Sequence, residues 1–215
     1  MTREGAAPTS RPAPARGMTQ RTVTKGDARR SALLEALDEA LKDGDSVEAI
    51  NVADLSRRAG VTRSAFYFYF ESKSAAVAAL METVYEEAAS AGEVLTDTDR
   101  EPAERIAVVV DQIFASTERH EHLYRAVLEA RATNPAVREM WDADRTSFSQ
   151  DVADMIRAER AAGKAPEGPD ADVLAQVLLD LNDHNMERRV LPDPPDRAEH
   201  VAAVTAIWVR SVYGA

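Results

Sequence analysis

Apolar residues recur along this chain at spacings of three and four, the repeat of a helix that buries one face. Leu33, Leu34, Leu37 and Leu41 form the first such stripe, which begins after Asp27 and ends at an Asp43-Gly44-Asp45 turn. A short helix follows, with Asn51 as N-cap, Asp54 three residues on as a partial capping box, and Val52, Leu55 and Ala59 facing inward. A turn at Gly60 leads to a third helix capped by Thr62, and a fourth starts at Ser72 with Val77, Leu80, Met81 and Val84. Beyond residue 95 the pattern predicts helices near 101–118, 120–131, 135–163, 169–190 and 196–213. Asn134-Pro135, the stretch from Gly163 to Pro169 and Leu191-Pro192-Asp193-Pro194-Pro195 separate them. No run reads as a strand and no repeat is visible. The expected architecture is all-α.

Five of the twelve aromatic residues stand together as Phe66-Tyr67-Phe68-Tyr69-Phe70. Such residues favour strands, but five residues build no sheet and no neighbouring run offers a partner. With Thr62 as cap, Phe66 and Phe70 share one helical face at i, i+4, so a helix is preferred. Leu55, Ala59, Val61 and Phe66 then fill the wedge between two steeply crossing helices, Ser56 lets them approach, and Gly60 supplies the turn. These are the steric needs of a helix-turn-helix. Its second helix would present Thr62, Arg63 and Ser64 to base edges in the major groove, with Arg63 suited to guanine. Tyr67 and Tyr69, with polar tips on apolar bodies, suit phosphate contacts, although Tyr69 can equally be core. Lys73, at the start of the fourth helix, would attract phosphate together with the helix dipole.

A net charge of −11 over 215 residues opposes nucleic-acid binding, which needs local positive charge. The distribution resolves the conflict. Residues 1–30 hold 7 Lys+Arg against 2 Asp+Glu, residues 1–75 hold 12 against 10, and residues 76–215 hold 14 against 27. A basic end is thus joined to an acidic remainder with another task. Pro8, Pro12 and Pro14 among Ala, Thr, Ser and Arg mark residues 1–25 as a disordered basic arm. No run approaches the roughly 18–20 apolar residues of a membrane span. Met1 to Gly26 lacks the apolar centre of a secretory signal, and there are no cysteines. A soluble cytoplasmic chain with no membrane partner is expected.

Toward the C-terminus, Val173, Leu174, Val177, Leu178 and Leu181 share a broad apolar face, as do Val201, Val204, Ile207, Trp208 and Val212. Two such helices could form an isologous four-helix interface with a second copy, or cover their own subunit's core. Asn182 lies within the apolar series Leu178, Leu179, Leu181 and Met186, where an amide is costly unless paired. Neighbouring backbone or Asp183 could satisfy it. Phe114, Trp141, Phe148, Met155, Met186 and Trp208 are candidate pocket walls, or plain core. Catalytic signals are thin: there is no glycine-rich phosphate loop, HExxH motif or nucleophile elbow. His120-Glu121-His122 reads as solvated surface, because i, i+2 neighbours diverge on a helix. No enzyme activity, metal or cofactor is expected.

The stretch from Asn51 to Lys73 resembles the DNA-binding domain of the TetR/AcrR family. It has a small residue, Gly60, an apolar residue and Thr62, then an aromatic stretch ending Phe70-Glu71-Ser72-Lys73. Tyr69 stands where many members carry His. Ala130-Arg131-Ala132-Thr133, Glu139-Met140-Trp141, Ala158-Glu159-Arg160 and the stretch from Ile207 to Gly214 are similar to the family's EthR-like subgroup. The resemblance implies a helix-turn-helix DNA-binding domain over 26–74 and a helical ligand-binding domain over 75–215 that dimerises through its last two helices. It implies a homodimeric repressor, released from a double-stranded DNA operator by a small, largely apolar effector. It also implies that an asparagine matching Asn182 bonds the effector in an apolar tunnel. The chain departs from the subgroup in having few aromatics in that domain, with Glu104, Asp151 and Glu187 near places where aromatics would align. An activator, an effector-independent regulator, or a carrier or enzyme retaining the fold is the alternative.

Overall fold

The structure, a computed structural model, describes residues 24–95 and 100–214. Among these it has nine helices and no strand: α1 (Lys25–Lys42), α2 (Val52–Arg58), α3 (Arg63–Tyr69), α4 (Lys73–Leu95), α5 (Pro102–Arg119), α6 (Glu121–Thr133), α7 (Pro135–Ala161), α8 (Ala171–Arg189) and α9 (Arg197–Tyr213). Residues 1–23 of the expected basic arm lie outside the described residues. Thr24 and Lys25, assigned to that arm from sequence, instead cap and open α1.

Capping sets most of these boundaries. Thr24 accepts from the Asp27 N–H at 3.1 Å while the Asp27 carboxylate accepts from the Thr24 N–H at 3.0 Å, a complete capping box. The partial box expected at α2 is absent. Asn51 does accept from the Ala53 N–H at 2.8 Å, but Asp54 turns forward to Arg57 at 2.6 Å, drawn by a charged partner one turn on. Asn134, ahead of Pro135, and Asp170 and Asp196 cap α7, α8 and α9 in the same way.

Two apolar clusters hold the helices together. The first joins Leu33, Leu37 and Leu41 of α1, Leu55 of α2, Phe66 of α3, and Val77, Met81 and Val84 of α4 to Leu123 and Val127 of α6 and Trp141 of α7. The second gathers Ile106, Val110 and Phe114 of α5, Ile156 of α7, Leu178 of α8, and Val204, Trp208 and Val212 of α9. Met186 packs against both. The apolar core therefore does not divide near residue 75, where the sequence suggests a boundary. The first half of α4, and α6, are built into the same core as α1, α2 and α3.

A buried charge pair ties the second cluster. Arg105 and Glu159 are 2% and 4% exposed, and the guanidinium donates to the carboxylate at 2.8 Å. It also donates to the Leu95 carbonyl and the Tyr213 hydroxyl, both at 3.1 Å, so the end of α4, α5, α7 and α9 converge on one side chain. Removing one partner strands a charge, whereas removing both leaves an apolar core. Glu159→Leu should cost about 3–5 kcal/mol in urea unfolding, and Arg105→Met added to it should recover most of that loss. An unaltered unfolding midpoint in Glu159→Leu would mean the pair is not buried in solution.

Candidate nucleic-acid interface and its connections to the helical body

The turn between α2 and α3 closes by backbone bonds that require a left-handed residue. Gly60 has φ +65°. Its N–H donates to the Arg57 carbonyl at 3.1 Å, and the Val61 N–H donates to the Ser56 carbonyl at 2.9 Å. Ser56 is buried, and its hydroxyl donates back to the Val52 carbonyl at 2.7 Å, so α3 crosses over a polar group already satisfied. Phe66 is fully buried and Leu55 nearly so. These contacts fix the direction of a seven-residue helix.

Its outer face collects most of the predicted DNA contacts. Thr62 caps α3 by accepting from the Ala65 N–H at 3.2 Å, and its hydroxyl lies 2.9 Å from that of Ser64. Thr62, Arg63, Ser64 and Tyr67 are all exposed, and the Arg63 guanidinium stands 5.9 Å from the Tyr67 ring centre. Tyr69 sits differently. It is half-buried against the first cluster, and its hydroxyl faces Gly26 at the start of α1. Lys73 donates to the Glu48 carbonyl at 2.8 Å and the Ile50 carbonyl at 3.1 Å. Two of its three donors thus hold the turn before α2, leaving one for an outside oxygen. Its partners stand 25 and 23 residues back, a separation that local motif reading does not reach. Phe68, which the motif reading passed over, is 81% exposed on the same helix.

Five of the seven predicted ligand-site residues are distributed between the two clusters. Phe114, Met155 and Trp208 are buried in the second, Trp141 in the first, and Met186 lies between. Phe148 is half-buried on α7. Asn182 is 4% exposed, and its Oδ1 accepts from the Trp208 indole N–H at 3.1 Å. The partner is thus neither local backbone nor Asp183. A buried indole donor on α9 needs an acceptor as much as the amide needs a donor. Asp183 instead faces Arg145 at 3.1 Å; burial raises its carboxyl pKa above the ordinary value. Glu104 and Asp151 are exposed rather than inward, and Glu187 pairs with Arg131. Two surface grooves, of about 620 and about 650 Å³, lie between α5 and α9 and beside the end of α8; none of the seven residues lines either.

His122 corrects the reading of His120-Glu121-His122 as solvated surface. Its side chain is 13% exposed, with Nε2 2.7 Å from Asp38 Oδ1, a bond that joins α6 to α1. The residues are 84 apart in sequence, so no local pattern announces the pair. Glu121 pairs with Arg125. Among the described residues no group of three or more His, Asp or Glu side chains could hold a metal ion, and no helix is long and apolar enough to cross a membrane. Burial raises the Asp38 pKa, but hydrogen bonds from Lys42 and His122 more than offset it and hold the carboxyl below its ordinary value. A depressed carboxyl stabilises the fold above its unfolded pKa, and that contribution is lost as pH falls through the folded one. Asp38→Asn should therefore cost about 1 kcal/mol at neutral pH and progressively less below about pH 4 in denaturant titrations. Asn182→Leu, which strands the Trp208 indole N–H, should cost about 1–3 kcal/mol; a change within 0.5 kcal/mol would show the pair to be incidental.

Comparison with known proteins agrees with this geometry. The family described as "Transcriptional regulator EthR, C-terminal domain" matches residues 106–214, and "Bacterial regulatory proteins, tetR family" matches residues 45–80. The HTH-type transcriptional regulator EthR of Mycobacterium tuberculosis is 34% identical over 195 residues, covering 88% of this chain and 89% of that protein. The EthR of Mycolicibacterium smegmatis is 32% identical over 192 residues and 88% of each chain. Among solved structures, the transcriptional regulator FadR from Bacillus subtilis in complex with stearoyl-CoA shares the fold, with a TM-score of 0.69 at 18% identity over 85% of this chain and 99% of that one. With a helix-turn-helix sealed by Leu55 and Phe66 inside the residues matched at 45–80, and a C-terminal half matched at 106–214, the chain belongs to the TetR family of DNA-binding transcriptional regulators, which are not enzymes, with an EthR-type C-terminal domain.

Proposed function

We propose that the chain acts in the cytoplasm as a homodimeric repressor that grips a double-stranded DNA operator through α3 and leaves it when a small, largely apolar effector binds the helical body. The observation that carries this reading is the two-sidedness of α3. One side is sealed by Phe66, and the other offers Thr62, Arg63, Ser64 and Tyr67 together to solvent. Arg63 supplies the fork that suits guanine, and the two hydroxyls suit bases or phosphates.

Dimerisation is supported by how α8 and α9 divide their apolar residues. Leu174, Leu178, Val204 and Trp208 turn inward, while Val173, Val177 and Ile207 remain exposed at 57%, 57% and 45%. A symmetry mate would cover that second face and set the spacing of two recognition helices. Release is supported by Met186 and α6. A ligand that shifts α8 shifts a residue packed against both clusters, and α6 shares the head's core. A hundredfold loss of operator affinity needs about 2.7 kcal/mol of differential binding. An acceptor on the effector would meet the Asn182 amide N–H2, because the oxygen already serves Trp208.

The test is binding to duplexes selected from random DNA. Arg63→Ala should lose about 1–3 kcal/mol and relax preference at one base position of each half-site. Val177→Glu should give monomers in sedimentation and lose most operator affinity. Undiminished base preference in Arg63→Ala would contradict the assignment of α3, and a dimeric Val177→Glu would contradict that of the interface.

A further inference from the structure

We propose that Phe68 reads the C5-methyl group of a pyrimidine, a thymine in ordinary DNA, in the major groove of each half-site. The inference rests on the use of α3 as the DNA-reading helix. Its starting point is angular. Phe66 is fully buried, and two positions on is about 200° around a helix, so Phe68 stands nearly opposite the sealed side. It is 81% exposed, against 49% for Tyr67. It lies four residues beyond Ser64, hence one turn along the face that carries Thr62, Arg63 and Ser64.

A single exposed phenylalanine is ordinary on a protein surface. This one is set among groups that read hydrogen-bonding edges, and the major groove offers one apolar feature at base level, the thymine methyl. The ring is also held in place. It meets Tyr69 edge to face, with centres 5.1 Å apart and planes at 88°, and Tyr69 is packed against the first cluster beside the start of α1. Phe70, two positions beyond Phe68, is buried, so the helix cannot roll Phe68 inward without exposing both Phe66 and Phe70. A rigid aromatic already outside loses little freedom on binding. Arg63 and Tyr67, one turn apart on the neighbouring edge of the face, leave the apolar reading to Phe68.

The test uses the full-length protein, its Phe68→Ala and Phe68→Leu variants, and an operator duplex selected from random DNA with the wild type. Each thymine is replaced symmetrically in both half-sites by deoxyuridine, which removes the methyl alone. At one such position cytosine and 5-methylcytosine are also compared. The expected result is a single symmetric position where thymine-to-uridine replacement weakens wild-type binding about fourfold per half-site, about fifteenfold for both, the equivalent of one buried methyl. Phe68→Ala should lose a similar factor on the thymine duplex and stop distinguishing the two bases. Phe68→Leu should keep part of the distinction, and 5-methylcytosine should outbind cytosine for the wild type alone. Wild-type indifference to every replacement would overturn the proposal, as would a Phe68→Ala that is weakened equally on both duplexes with its discrimination intact. Loss of self-association in Phe68→Ala with unchanged base discrimination would assign the ring to a second copy instead, and also overturn it. Failure of the wild type to select any sequence would instead be a failure of the DNA-binding reading itself.

Discussion

Leu33, Leu37 and Phe66 of the DNA-reading head pack in one apolar cluster with Leu123, Val127 and Trp141 of α6 and α7, and the rest of the molecule depends on that shared packing. Helices of seven residues, such as α2 and α3, do not persist alone in water. They exist because burial of Leu55 and Phe66 holds them against α1 and α4. Because the same cluster continues into α6, α3 is positioned by the body as well as by the head. Close-packed interiors pass on displacements rather than absorb them. The bond between His122 and Asp38 adds a directional tie where α6 meets α1.

The polar groups inside the body specify rather than merely stabilise. Arg105 reaches Glu159, the Leu95 carbonyl and Tyr213, and so fixes how four helices meet. Asn182 and Trp208 do the same for α8 and α9. Each pair is costly to leave half-made, which favours one arrangement of the helices over its near neighbours. Met186, on α8, packs against both clusters, so the two cores meet at one side chain.

The local signals were strong. Helical periodicity, caps and the Pro-rich breaks placed the helices within a few residues, and the Gly60 turn with Phe66 identified the helix-turn-helix. The exposed side of α3 was legible because Phe66 and Phe70 define its inner side by spacing alone. What sequence could not show lies in pairs distant along the chain. The place of Lys73 at the start of α4 suggests a phosphate contact, but only the fold shows two of its donors holding the Glu48 and Ile50 carbonyls. His122 reads as surface because i, i+2 neighbours diverge on a helix, and its partner Asp38, 84 residues away, is out of reach of that rule. The apolar setting of Asn182 demands a partner, but an indole on another helix is invisible to a local rule. The division of the proposed pocket walls between two clusters is likewise a tertiary fact, since aromatic and methionine positions look alike whether they face a ligand or each other.

Native-state hydrogen exchange tests the shared core most directly, because it measures the free energy at which each helix opens. Amides of α1, such as Leu37 and Leu41, and of α6, such as Val127 and Ala130, should open together, with one free energy and one urea dependence. A head that opens at clearly lower free energy while α6 stays protected would contradict the account, and the DNA-reading unit would then be an independent domain attached to the body rather than built into it.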